Sequence, residues 1–185
     1  MDVSLALVLR KKVSGMLEEP TLERAITACI MQLSQDNLRK AHKLVAEHSN
    51  ADGVLLRFLV KAVHERDWDA VQSVVACAFG RPSDRLADAL GALLADTNPN
   101  LNNEDIADLL GEIASPSSVD ALAKAVQTDY PMDEEHDVNK KAVLALGRIG
   151  TPNAIMAIKQ AAASHVEAIR EEAEAQLDWI GQRDQ

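Results

Sequence analysis

The sequence predicts an all-α protein whose short helices stack as a solenoid, and three observations carry that prediction. Apolar residues fall in stripes at the helical period, and no stretch alternates convincingly at period two. Proline and glycine gather in short interruptions between those stripes, at 19–20, 49–53, 80–82, 115–116 and 150–152. The interruptions also recur. Pro82, Pro116 and Pro152 are separated by 34 and 36 residues, and Pro20 precedes Pro82 by 62, with the turn at 49–53 midway. Each unit of such a repeat is a helical hairpin that can bury its apolar flank only against its neighbours.

Leu5, Leu9, Val13 and Leu17 predict a first helix over 2–17, and Leu22, Ile26, Cys29, Ile30 and Leu33 predict its partner over 21–33. Later stripes predict 36–48 with 53–65, 68–79 with 82–95, 103–114 with 117–127, and 137–149 with 152–163. That makes about five helical hairpins. A final stripe ending at Ile180 predicts an unpaired capping helix over 166–180, followed by a polar tail at 181–185. Pro20, Pro82, Pro116 and Pro152 stand at helix starts, where the missing N–H is one the helix cannot use.

Placing 106–126 over 142–162 aligns Leu110 with Leu146, Gly111 with Gly147, Ile113 with Ile149 and Pro116 with Pro152. It also aligns Ala121 with Ala157 and Ala125 with Ala161, six identities in 21 positions. At an offset of 31, Val138 and Asn139 align with Ile169 and Arg170. The stretches AVLALGRIGTPNAIMAIKQAA and VEAIREEAEAQLDWIG thereby resemble the HEAT-like repeat of the phycobilisome-lyase type. In that pattern V-R opens a helix and A-L-G-x-I-G-x-P-x-A-I follows; Asn139 and Arg170 hold the arginine position. The resemblance is clearest over 68–181 and fades over the divergent helices of 1–65. It implies a right-handed α-α superhelix of the HEAT/ARM-like kind, a single domain over 1–185. In such a repeat small residues, here Ala142, Gly147 and Ala157, let the two paired helices approach closely.

The chain carries 19 Lys and Arg against 29 Asp and Glu, a net charge of −10, and only 3% aromatic residues. A basic face and stacking platforms are what nucleic-acid binding requires. Their scarcity argues against that function, and the acidity argues against docking on anionic membrane. The clusters Arg10-Lys11-Lys12 and Arg39-Lys40 read as solvated faces. Cys29 and Cys77 lie inside apolar helical stretches without a CxxC frame, so they read as buried free thiols in a reducing, cytoplasmic setting. The run at 3–9 lacks the flanks of a signal peptide, and no stretch approaches the ~18 apolar residues of a membrane span.

Nothing in the sequence frames a catalytic site. His42, His48, His64, His136 and His165 are scattered, and no H-E-x-x-H occurs. His64-Glu65 resembles one of the His-Glu pairs of HEAT-repeat deoxyhypusine hydroxylases, a family that needs several. Nucleophile elbows, phosphate loops and the calcium-loop frame are missing as well. No enzyme, cofactor or metal is therefore expected. A lyase-like activity is the distant alternative, and no bilin-handling constellation supports it.

Partner binding remains, and solenoids bind partners on the concave surface lined by the second helix of each pair. Positions there that point away from the apolar stripe are Arg57 and Lys61, Arg85 and Asp88, Asp120 and Lys124, and Met156 and Gln160. Residues four apart share a helix face, so these form a ladder across repeats. The acidic segment 129–137 lengthens one inter-repeat loop and reads in two ways: as a solvated linker whose acids cap the next helix N-terminus, or with Tyr130 and Met132 as candidate anchors and Asp133, Glu134 and Glu135 as hooks for a basic partner. The expected function is a protein-binding adaptor or scaffold, monomeric or weakly homodimeric. The alternative is an immunity-type inhibitor of a basic toxin.

Overall fold

A computed structural model describes residues 21–131 and 133–183, and every regular element among them is helical. The helix expected over 2–17, Met132 and residues 184–185 lie outside the described residues. The helices are α1 (Leu22–Met31), α2 (Gln35–Glu47), α3 (Ala51–Glu65), α4 (Trp68–Ala78), α5 (Ala87–Leu94), α6 (Asn103–Ile113), α7 (Val119–Ala125), α8 (Asp137–Ile149), α9 (Pro152–Ala161) and α10 (Glu167–Arg183).

Local chemistry sets the boundaries. The side chains of Thr21, Ser34, Asp67, Asn102 and Thr151 each accept a hydrogen bond from the backbone N–H three residues on. Those bonds satisfy N–H groups that have no partner inside the helix. Helices α3, α6 and α8 end in left-handed residues, Arg66, Ala114 and Gly150, with φ of 55°, 52° and 64°. The second helices expected over 82–95 and 117–127 instead open with 3-10 turns at Asp84–Leu86 and Pro116–Ser118. Ser83 and Ser115 make no capping bond there, whereas Thr151 does, and α9 begins directly at Pro152. At the far end, α10 runs through Gly181 instead of stopping at it.

Two layers result. Helices α2, α4, α6, α8 and α10 stack side by side in one, and α5, α7 and α9 stack in the other, with α3 packed on the turn that opens α5. Leu90, Leu94, Ile106, Leu109, Leu110, Leu122, Leu146 and Ile158 are fully buried between the layers. Each such side chain contributes about 1.5–3 kcal/mol by leaving water.

Gly147, one of the small residues expected in the seam of its own hairpin, faces the next repeat instead. A Cβ on Gly91 would lie 3.1 Å from the Ala121 Cβ, between α5 and α7, and one on Gly111 would lie 3.0 Å from the Ala145 Cβ, between α6 and α8. Gly147 faces Gln176 on α10. Glycine therefore sits where one repeat stacks on the next, within a layer.

The amino-terminal end is less regular. Helix α1 packs on α4 as well as on α2. The Ser73 hydroxyl donates to the Cys29 carbonyl at 3.2 Å, and the His42 ring lies 2.8 Å from the Ala76 carbonyl. Cys29 and Cys77 are both buried and free, and burial raises both thiols above their ordinary range. Among the described residues no helix is long and apolar enough to cross a membrane.

Candidate functional site

The acidic loop between α7 and α8 divides into a buried part and an exposed part. Tyr130, expected as an anchor for a partner, is only 5% exposed, and its hydroxyl donates to the Leu94 carbonyl at 2.7 Å. Burial pushes its phenol up to about 12. An aromatic ring in that position pins the loop to the end of α5 and is out of reach of a docking protein. Asp133 is likewise turned inward: its carboxylate accepts from the N–H groups of Asp137 at 2.7 Å and Val138 at 3.0 Å. It thus caps the start of α8, where negative charge is favoured. Glu134 and Glu135 are exposed, while Met132 lies outside the described residues.

The ladder residues are all exposed. Two of them are engaged in ties between neighbouring helices: Arg57 pairs with Glu23 at 3.3 Å, and Arg85 with Asp52 at 3.3 Å. Lys61 lies 4.0 Å from Glu65 on its own helix. Asp120 and Lys124 on α7 hold the same repeat positions as Met156 and Gln160 on α9, and Met156 is 57% exposed.

Loop and ladder meet at one cavity. Between the end of α7, the start of α8, and α9 with its turn into α10 lies a space of about 580 Å³, lined among others by Asp129, His136, Asn139, Gln160 and Ile169. Gln160 comes from the ladder, and Asp129 and His136 bracket the acidic loop.

Asn139 organises this junction. It is 2% exposed, and its Nδ2 donates to the carbonyls of Ala125 at 2.8 Å, Thr128 at 2.8 Å and Val126 at 3.2 Å, closing the end of α7. Arg170, at the same position of the next unit, donates from Nη1 to the Ser164 carbonyl at 3.3 Å, just beyond α9. So a side chain near the start of a first-layer helix clamps the carbonyl end of the helix before it. No motif marks Asn139 in the sequence as a site residue; its one signal is an asparagine in a position where the repeat pattern has arginine.

A family model for HEAT repeats matches residues 87–178, the stretch that holds α5 to α9 and most of α10. The chain belongs to the HEAT-repeat family. A search of curated proteins finds no match. HEAT repeats are typically non-enzymatic and generally mediate protein–protein interaction, their stacked helices forming an extended surface. Within this HEAT-repeat chain, no three His, Cys, Asp or Glu side chains among the described residues gather closely enough to hold a metal ion.

Proposed function

We propose that the protein is a non-enzymatic binding module, an adaptor or scaffold. It takes another protein across the second-layer helices and the exposed tip of the acidic loop. One observation carries this reading: Gln160 of the ladder and the two ends of the loop line a single cavity in a HEAT-repeat chain. A basic partner is favoured by Glu134, Glu135 and Asp129 at this end of the molecule and by the net charge of −10. Complementary charge of that kind supplies specificity and association rate more than affinity. The same acidity supports a second reading, an immunity-type inhibitor held one-to-one by a basic toxin.

Affinity capture of the tagged protein from its native lysate, at low and high salt, tests the proposal. One stoichiometric partner released by salt is expected. Glu134→Gln with Glu135→Gln should weaken it and flatten its salt dependence, while thermal stability stays unchanged, since neither side chain caps a helix. No partner after crosslinking would overturn the reading. A toxin encoded beside the gene would select the inhibitor over the adaptor.

A further inference from the structure

On the reading that the chain binds a basic partner, we infer that the solenoid edge carrying the inter-repeat loops is a groove for one extended segment of that partner. The segment has lysine or arginine at every third residue, and its head groups pair with a row of carboxylates, Asp69, Glu104 and Asp129.

Three hollows follow one another along that edge, each between successive connections that lead into the first-layer helices α4, α6, α8 and α10. The first, about 500 Å³, lies between the turn at Arg66 and Asp67 and the loop at Pro99 and Asn100. The second, about 260 Å³, lies between residues 98–104 and 130–138, and the third is the 580 Å³ cavity between the end of α7 and the turn into α10. Pro99 lines both the first and the second. The start of α8 separates the second from the third, with Asp137 and Val138 lining one and His136 and Asn139 the other. The hollows thus recur once per repeat.

Charge and spacing define the occupant. Six carboxylates line the three hollows against one lysine or arginine, Arg66. Three of the six are engaged: Asp67 caps α4, Asp133 caps α8, and Asp137 pairs with Lys140 at 2.7 Å. Asp69, Glu104 and Asp129 make neither a hydrogen bond nor an ion pair among the described residues, and each hollow has one of them. Packed helices lie about 8–10 Å apart, so carboxylates set one per repeat recur at about that interval. A polyproline II segment rises about 3.1 Å per residue with three residues per turn, which returns every third side chain to one face after about 9 Å. A β-strand returns to the same face after about 7 Å and falls out of step. The hollows are open to water, so a single ion pair contributes little, and affinity comes from three pairs made in register.

The test uses the full chain and three fluorescent peptides of nine residues: Lys-Pro-Pro repeated three times, the same composition with the lysines adjacent, and Gln-Pro-Pro repeated three times. Fluorescence anisotropy should show the spaced-lysine peptide binding at least about threefold more tightly than the adjacent-lysine peptide, and the glutamine peptide not binding. Asp69→Asn, Glu104→Gln and Asp129→Asn should each weaken the spaced peptide about two- to fivefold, as loss of one exposed ion pair implies, and all three together about tenfold or more. None of these side chains caps a helix, so the triple variant should keep its circular dichroism; were it to unfold, the comparison of peptides on the unaltered chain still decides. In the nitrogen-15-labelled chain the spaced peptide should shift the backbone amides of Gln72, Asn100 and Thr128 together. Equal affinity for spaced and adjacent lysines, shifts at one hollow alone, or a folded triple variant that binds as before would overturn the inference. A captured partner with no peptide binding sinks the groove alone, whereas peptide binding with no protein partner sinks the wider reading and leaves the groove.

Discussion

Residues 103–125 and 139–161 are two copies of one hairpin, aligned residue for residue at an offset of 36, yet the same positions do different work in each. Gly111 and Gly147 are the same glycine of the repeat. A Cβ on Gly111 would meet the backbone Cα of Ala145 at 3.1 Å, whereas one on Gly147 would meet the far end of the Gln176 side chain. The helices close on Ala114 in one copy and on Gly150 in the other, both left-handed. Both copies bury an asparagine with an unpaired Oδ1, Asn103 and Asn139. The difference teaches that the repeat pattern settles how a hairpin is made. The neighbour that follows settles which of its residues are indispensable.

The glycines give the largest expected contrast. Gly111→Ala drives a methyl group against the main chain of α8, which cannot swing aside, and should cost about 1–3 kcal/mol. Gly147→Ala displaces only a flexible side-chain end and gains helix propensity, so it should fall between neutral and about 1 kcal/mol stabilising. For a chain of this size each kcal/mol moves the midpoint of thermal unfolding by roughly 2–4 °C. Equal losses in the two variants would mean that α8 and α10 stack as tightly as α6 and α8, and the contrast between the copies would disappear.

Much of this architecture is readable from the residues alone, because helical period, breakers and repeat spacing are local signals. The hairpins of 68–79 onward follow from Pro82, Pro116, Pro152 and the apolar stripes. The placement of Gly147 between repeats does not, since a glycine reports a close approach without naming the partner. Tyr130 shows the same limit. An aromatic residue among five acidic ones reads as exposed, but its hydroxyl finds the Leu94 carbonyl 36 positions back, a contact no local pattern encodes. Capping of the next helix by an acid of this loop is legible in the sequence, and the structure assigns it to Asp133. Asn139 carries no motif at all, and its importance comes from three carbonyls that converge only once α7 has ended against α8.

The loop joining the two copies gives the next effect in size. Tyr130→Phe keeps the ring and removes the hydroxyl, leaving the Leu94 carbonyl without its 2.7 Å donor at a buried site. A cost of about 1–2 kcal/mol follows, measurable by urea unfolding. An unchanged midpoint with unchanged slope would show that water replaces the hydroxyl and that the loop is held by Asp133 instead. Because the phenol titrates only near 12, the bond should contribute equally at every pH between 6 and 9.

The smallest effect is the cleanest comparison of the two copies. Ala114 and Gly150 end α6 and α8 in the same left-handed conformation, which costs a residue with a Cβ roughly 1–2 kcal/mol and glycine nothing. A Cβ at Gly150 would touch only the Gly147 carbonyl, at a comfortable 3.7 Å, so any loss in Gly150→Ala comes from the backbone conformation and not from crowding. Glycine in turn frees the unfolded chain, which offsets about 0.4–1 kcal/mol of the difference. Ala114→Gly should therefore stabilise by about 0.5–1 kcal/mol and Gly150→Ala destabilise by a similar amount, so that the double exchange leaves stability nearly where it began. Exchanging the two termini in this way asks whether the copies are equivalent once their neighbours are set aside. If Ala114→Gly lowers the unfolding midpoint instead, the Ala114 methyl group makes a packing contribution larger than its strain, and the first copy has adapted its ending to the alanine.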